Sequence, residues 1–151
     1  MGWCQSKGKK KIQLDKKEIL SWTQIANRIH FSIRKDGVLE QFDGFFKKKN
    51  VSIQKFNEHG LPDIPVGLDL SKVSQTQYIK QADVVMMFHL FSTLYQTKIK
   101  SKNYNYYVSK TLHKSSLSPS IHAIVGNEVG DNERASKLFQ VALNTDLDDV
   151  H

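Results

Sequence analysis

At 151 residues the chain is long enough for one domain with its own core. Hydrophobic residues at 39% and charged residues at 25% lie near the globular average, which excludes a chain disordered throughout. The net charge of +7 is of the kind that nucleic acid or an acidic membrane attracts. The lysine runs, however, are scattered over Lys7–Lys17, Lys47–Lys49 and Lys98–Lys102, with two arginines nearer the middle, Arg28 and Arg34. No nucleic-acid-binding motif accompanies them, so a solvated lysine surface is the preferred reading. Neither nucleic acid nor a membrane is an expected partner. The longest uncharged apolar run, "ADVVMMFHLFSTLY", is broken by Asp83 and His89 and is too short to span a bilayer. The start, "MGWCQSKGKKK", carries positive charge with no apolar segment behind it, unlike a secretory signal. Gly2 with Ser6 fits the outline of a myristoylation signal, a short pattern that arises often by chance. Cys4 is the single cysteine, so no internal disulfide forms, and a reducing, cytoplasmic setting is expected.

Five helices and little strand follow in chain order. The first is predicted from Asp15 to Ile29: Asp15 with Glu18 resembles a capping box, and Ile19, Trp22, Ile25, Ala26 and Ile29 recur at helical spacing. Asp36-Gly37 is a turn signal. Val38 to Phe46 mixes aromatics with Gln41 and Asp43 and reads as an extended, partly buried segment. "NEHGLPDIPVGLDL", with two prolines and two glycines, reads as a loop. The second helix is predicted from Thr76 to Leu94 and is apolar on almost every side, the mark of a helix buried in a larger protein. The third runs through "KNYNYYVSK". The fourth is predicted with Ser118 as N-cap, Pro119 at the first helical position and Gly130 after its end. The fifth runs from Asn132 to Leu143, with Ala135, Leu138, Phe139 and Ala142 on one face. The tail "NTDLDDVH" is acidic. No solenoid repeat is present, and the class is all-α.

Three stretches carry residues suited to chemistry. In "TLHKSSLSPSIHAIVGNEVGD" four serines and two histidines surround one proline at a helix entrance. Hydroxyls, backbone N–H groups and a positive dipole end together suit a phosphate or sulfate, although capping is the commoner use of a serine there. In "YIKQADVV", Lys80, Gln81 and Asp83 stand at the mouth of the apolar helix. Lys80 and Gln81 offer directional hydrogen bonds to sugar hydroxyls, or simply form a polar first turn. In "EQFDGFF", Gln41 and Asp43 interleave with Phe42, Phe45 and Phe46, as in carbohydrate clefts and equally at many core edges. His113 and His122 lie nine residues apart, which is not a metal-ligand spacing on one helix face. No Ser-His-Asp or Cys-His set and no phosphate-binding glycine loop can be argued.

Together these segments resemble glycoside hydrolase family 65, the inverting disaccharide phosphorylases, and they come in the family's order. "GVLEQFDGFF" is similar to its glutamine–aspartate–glycine–aromatic segment, and "QYIKQADVVMMFHL" to its lysine–glutamine–alanine–aspartate helix. "NYNYYVSKTLHKSSLSPSIHAI" is similar to its tyrosine pair, histidine and serine-rich loop, and "DLDDVH" to its acidic segment. The resemblance runs from about Ile19 to His151, broken at "KKKNVSIQKF". It implies an incomplete six-fold α/α barrel: residues 15–151 as the later part of the catalytic barrel, and residues 1–14 as an unmatched basic segment. The family's β-sandwich, the half-barrel bearing the glutamate general acid, and a further closing segment are expected outside this chain, leaving it inactive alone. No catalytic residue is therefore expected within it.

By resemblance, Lys80 and Gln81 hold a glucosyl unit, and Ser115 and Ser116, with His113 close by, hold phosphate. Inverting phosphorolysis uses one acid and phosphate as the nucleophile, whereas an inverting hydrolase needs a second carboxylate to activate water. Ser109 to Asn127 contains no Asp or Glu, which favours a phosphorylase over a hydrolase of the same family. The implied reaction converts an α-glucosyl disaccharide (maltose, trehalose or its phosphate, kojibiose or nigerose) and inorganic phosphate to β-glucose 1-phosphate. No cofactor and no metal is implied; a complementary barrel half is the implied partner. A non-catalytic remnant and a small basic binding protein are the alternatives.

Overall fold

A computed structural model describes residues 15–58, 61–63, 68–113 and 115–145. Gly2, Cys4, Ser6, the first basic run up to Leu14, Pro65 and the acidic residues from Asp146 onward lie outside the described residues. The chain falls into two compact units, residues 1–30 and 31–151. Helix α1 (Lys16–Arg28) belongs to the first. The Lys17 N–H donates to the Asp15 carboxylate at 3.1 Å, so Asp15 is the N-cap expected from the sequence. Thr23 Oγ1 donates to the Ile19 carbonyl at 3.0 Å, and no residue of α1 is buried.

The second unit carries α2 (Asp83–Leu90), α3 (Thr97–Val108), α4 (Leu117–Val129) and α5 (Asn132–Asn144). Helix α4 is central: it packs against α5, α3 and α2, while α2 and α3 also touch. The core gathers Phe45, Val85, Phe88, Tyr104, Tyr107 and Val125, each fully buried. Gly130 ends α4 with φ 88°, a left-handed cap that favours glycine, and Asp131 opens α5 directly after it.

Polar side chains tie the irregular N-terminal part of this unit to the helices. The turn at Asp36-Gly37 pairs Ile33 with Leu39 across an antiparallel bridge. Asn103 of α3, fully buried, accepts from the Leu39 N–H at 2.8 Å and donates to the Gly37 and Ile99 carbonyls at 3.0 Å. The Tyr107 hydroxyl donates to the Leu39 carbonyl. Gln77 is buried; its amide nitrogen reaches the Phe45, Phe46 and Lys48 carbonyls at 3.4 Å, and its oxygen accepts from Tyr106 Oη at 2.7 Å. Such a satisfied network fixes loops that have no helix or sheet of their own.

Three expectations change. The helix expected over Thr76–Leu94 begins only at Asp83 and ends at Leu90. Before it, Thr76 and Ile79 form parallel bridges to Lys49 and Thr111, and non-local pairing of this kind holds the backbone extended whatever its helix propensity. After it, Ser92–Leu94 tightens into a 3₁₀ turn. The stretch Val38–Phe46 is extended only at its start and turns into a 3₁₀ helix at Phe45–Lys47. Ser118 is not the cap of α4: the helix begins at Leu117 with Ser116 at the cap position, Ser118 is buried, and Pro119 is the third helical residue. A proline remains compatible with the first turn, where its missing N–H has no helical partner to lose.

Candidate functional site

The site forms where the segment before α2 meets the segment before α4. Two backbone hydrogen bonds fasten them: Ile79 N–H to the Lys110 carbonyl at 3.0 Å, and Leu112 N–H to the Ile79 carbonyl at 2.8 Å. This parallel bridge runs the segment that carries Lys80 and Gln81 alongside the one that leads into His113, Ser115 and Ser116. Ser115 Oγ then donates to Gln81 Oε1 at 3.0 Å.

A third segment joins them. Gln41 Nε2 donates to Asp83 Oδ2 at 2.9 Å and approaches the Gln81 carbonyl at 3.4 Å, while Gln41 Oε1 takes the Val84 N–H at 3.4 Å. Gln41 thus serves the first turn of α2, whose cap residue Ala82 has no side chain to offer. All three candidate stretches of the sequence meet at one place, with Gln41, Gln81 and Ser115 as the links. Phe45 and Phe46 do not reach that place as sugar platforms: Phe45 is fully buried, and Phe46 packs edge-on against Tyr106 at 6.1 Å. Phe42, 46% exposed, is the accessible ring of the three.

Lys80 is exposed, and Ser116 is exposed at the α4 cap position with no side-chain cap bond. His113 is buried, with φ 49°. A non-glycine residue in this left-handed region costs on the order of 1–3 kcal/mol and persists only where surrounding contacts hold it. The holding contact is the 2.9 Å hydrogen bond between His113 Nδ1 and Ser118 Oγ. His122, one turn further along α4, stacks edge-on against His113 with ring centroids 4.6 Å apart, and its Nδ1 lies 2.9 Å from the Ser118 carbonyl. Burial pushes the His113 imidazole down to about 3, with His122 and Arg134 acting in the same direction. Burial pushes His122 down to about 4, against the carbonyl contact, which favours its proton. Both rings are therefore neutral at pH 7. A small pocket lies beside His122, lined also by Gln81, Asp83, Met86, Leu117 and Ser118.

Ser118 and His122 escaped sequence reasoning as a site pair. Their spacing of four on one helix face was the available signal, but it reads equally as core packing. Lys110 is also engaged rather than free: its ammonium donates to Asn50 Oδ1 at 2.7 Å, the Val51 carbonyl at 3.1 Å and Ser52 Oγ at 3.2 Å. Among the described residues no helix is long and apolar enough to cross a membrane, and no group of three or more His, Cys, Asp and Glu side chains is placed to hold a metal.

Comparison with known proteins gives a consistent answer. Residues 3–151 match the family model described as the glycosyl hydrolase family 65 central catalytic domain. That match starts inside the basic N-terminal segment, upstream of the motifs that carry the resemblance. A kojibiose phosphorylase of Caldanaerobacter subterraneus subsp. tengcongensis is 43% identical over 92% of this chain and 18% of its own length. An alpha,alpha-trehalose phosphorylase of Thermoanaerobacter brockii is 31% identical over 93% of this chain and 18% of its own. A solved structure from the human microbiome, assigned as a kojibiose phosphorylase, superposes with a TM-score of 0.71 at 34% identity, covering 89% of this chain and 18% of that one. The chain spans about a fifth of the length of the relatives it matches.

Proposed function

Since the chain belongs to glycosyl hydrolase family 65 and its helices form part of an α/α barrel, we propose that it is one section of an inverting disaccharide phosphorylase. The reaction cleaves an α-glucosyl disaccharide with inorganic phosphate and releases β-glucose 1-phosphate. Lys80 and Gln81 bind the glucosyl unit; Ser115, Ser116 and His113 bind phosphate. The observation that carries this reading is the 3.0 Å hydrogen bond from Ser115 to Gln81. Inversion by direct displacement requires the nucleophile to stand against the face of the sugar opposite the leaving oxygen. A sugar-side amide in contact with an anion-side hydroxyl supplies that adjacency.

The donors suit the ligands. The Gln81 amide keeps both N–H donors for a sugar hydroxyl after its oxygen accepts from Ser115. The Ser116 hydroxyl is exposed at the start of a 13-residue helix, where the dipole and the first N–H groups favour an anion. On phosphate arrival the Ser115 hydroxyl rotates from Gln81 to the anion, and its bond becomes charge-assisted, roughly twice the usual strength. Asp83, two residues after Gln81, accepts from Gln41 Nε2 at 2.9 Å, and Ser109 to Asn127 carries no carboxylate to activate a water. The glutamate acid and the rest of the cleft belong to other parts of the barrel, so purified 1–151 is expected to release no glucose 1-phosphate.

The test is a chimera in which residues 15–145 replace the matching section of the Caldanaerobacter enzyme. Ser115→Ala and Ser116→Ala are expected to raise the KM for phosphate and leave that for the disaccharide nearly unchanged. The reverse pattern would show that the serines serve the sugar. The relatives' own names include kojibiose, trehalose, maltose and nigerose phosphorylases; screening the chimera against these four disaccharides reads what this section contributes to the choice.

A further inference from the structure

We propose that Ser118 and His122 are positioning residues for His113, forming a directed hydrogen-bond chain that fixes His113 with its proton on Nε2. The inference rests on the reading of the serine loop as a phosphate site, because its purpose there is to present a donor, not an acceptor, to the anion.

The direction of the chain follows from which atoms can donate. His122 Nδ1 lies 2.9 Å from the backbone carbonyl of Ser118. A carbonyl only accepts, so His122 carries its proton on Nδ1. The same N–H lies 3.5 Å from Ser118 Oγ and cannot accept from it. Among the described residues, the acceptor that the Ser118 hydroxyl proton meets is His113 Nδ1 at 2.9 Å. A neutral imidazole that accepts at Nδ1 carries its proton at Nε2. His113 Nε2 is buried with no partner among the described residues. A buried N–H without an acceptor costs on the order of 1–3 kcal/mol, and a phosphate oxygen brought into the loop would relieve it.

Three further observations support the arrangement. Ser118 is 3% and His122 1% exposed, so water does not compete for either. Their shared place on α4 is enforced by the packing of that helix against α2, α3 and α5. The bond to Ser118 also holds His113 in its left-handed backbone conformation, directly before the serine loop. Burial keeps both rings neutral, and a neutral pair is what a tautomer lock requires. A protonated His113 would donate from both nitrogens and leave Ser118 nothing to donate to.

The experiment is long-range proton–nitrogen NMR on the 15N-labelled chain at pH 7, which reads each imidazole's tautomer. The expected result is His113 protonated at Nε2 alone and His122 at Nδ1 alone. A His113 protonated at Nδ1 overturns the proposal, with no variant needed. Ser118→Ala is expected to release His113 into a mixture of tautomers, and Ser118→Thr, which keeps the hydroxyl, to restore the single form. An unchanged pure Nε2–H form in a folded Ser118→Ala chain also overturns it. Inorganic phosphate is tested separately, in the chimera that completes the cleft: there Ser118→Ala is expected to raise the KM for phosphate several-fold. Locked tautomers with an unchanged KM for phosphate would uphold the chain of hydrogen bonds and refute its service to the anion, so the two fail by different signals.

Discussion

Helices α1 and α4 are both 13 residues long, and their fates differ. In α1 every residue is accessible, including Leu20 at 59% and Trp22 at 50%. In α4 seven residues are buried, and two of them, Ser118 and His122, are polar. The α1 sequence has the cleaner amphipathic pattern, with a capped start, Glu18 in its first turn and Arg28 in its last. Local terms of this kind, each a few tenths to about 1 kcal/mol, suffice to write a helix. They do not determine whether its apolar face is covered. Helix α4 has a poorer local signature, with no side-chain cap and a proline in its first turn, yet three helices enclose it. Packing, not propensity, holds α4.

The largest expected separation between the two regions comes from truncating one large side chain in each. Phe88 of α2 is fully buried against α4's neighbourhood and stacks edge-on with Tyr95 at 4.9 Å. Phe88→Ala is expected to cost about 3–5 kcal/mol, the range for emptying a core aromatic site. Trp22→Ala in α1 is expected to change stability by less than about 0.5 kcal/mol, as exposed substitutions do. Urea unfolding of the two variants checks this. Equal losses would mean that the Trp22 face of α1 is covered in solution by something else, such as a second copy or the remainder of a barrel.

Acidification should separate the regions next, since α1 holds no buried imidazole and α4 does. In the unfolded chain both imidazoles take up protons near pH 6.5. In the folded chain His113 does so only near pH 3 and His122 near pH 4. Their folded pKa values are depressed, so the associated stability is complete above pH 6.5 and is lost as pH falls towards those values. The charge acting on His113 is Arg134 of α5, which further disfavours the imidazolium, and from α3 Tyr104 presents its ring 6.1 Å from His122. Between pH 7 and pH 5, above the carboxylate range, the expected loss is about 4 kcal/mol for the pair. A flat denaturation midpoint over that interval would show that the rings are solvated.

These contrasts also explain which parts of the fold were legible in the sequence. The bounds of α1 and α5 were, because their determinants, Asp15, Gly130 and Asp131, act within a few residues. The start of α2 was not, because Thr76 and Ile79 are held extended by partners more than 25 residues away in sequence, Lys49 and Thr111. Gln81 and Ser115 were each singled out by family motifs, but their contact spans 34 residues and depends on the backbone bridge between Ile79 and Thr111. Ser118 was misread because the cap rule is local. Its hydroxyl is claimed instead by His113, five residues before it, in a backbone conformation that no composition rule predicts for a histidine.

That misreading yields a third contrast, within α4 itself. Ser118→Ala removes a buried hydroxyl and leaves His113 Nδ1 without its donor, an expected cost of about 1–3 kcal/mol. Ser116→Ala removes an exposed hydroxyl that makes no cap bond, with an expected change below about 0.5 kcal/mol. Thermal or chemical unfolding of both variants decides which serine supports the helix. A larger loss at Ser116 would restore the ordinary capping role.

The smallest expected effect compares adding side-chain atoms in α4 with trimming them to alanine in α1. Gly126 of α4 has no space for a side chain: a Cβ there would lie 2.7 Å from the Tyr104 hydroxyl, 3.1 Å from the ring carbon bearing it, and 3.3 Å from the Ala135 Cβ. Tyr104 is itself fully buried, so it cannot swing aside into solvent. Overpacking of this kind costs about 1–3 kcal/mol. Against it stands the better helix propensity of alanine, about 1 kcal/mol over glycine. The net expectation for Gly126→Ala is a loss of about 1 kcal/mol, accompanied by displacement of Tyr104 or separation of α4 from α5. In α1 the sign is opposite. Ser21 is exposed, and Ser21→Ala is expected to gain about 0.5 kcal/mol from propensity alone. Paired unfolding curves read both signs, and the near-ultraviolet signal of the tyrosines reports the displacement. A stabilised Gly126→Ala chain would mean that α3, α4 and α5 are packed loosely enough to admit a methyl group, and the close contact at Tyr104 would then not be the reason for glycine at that position.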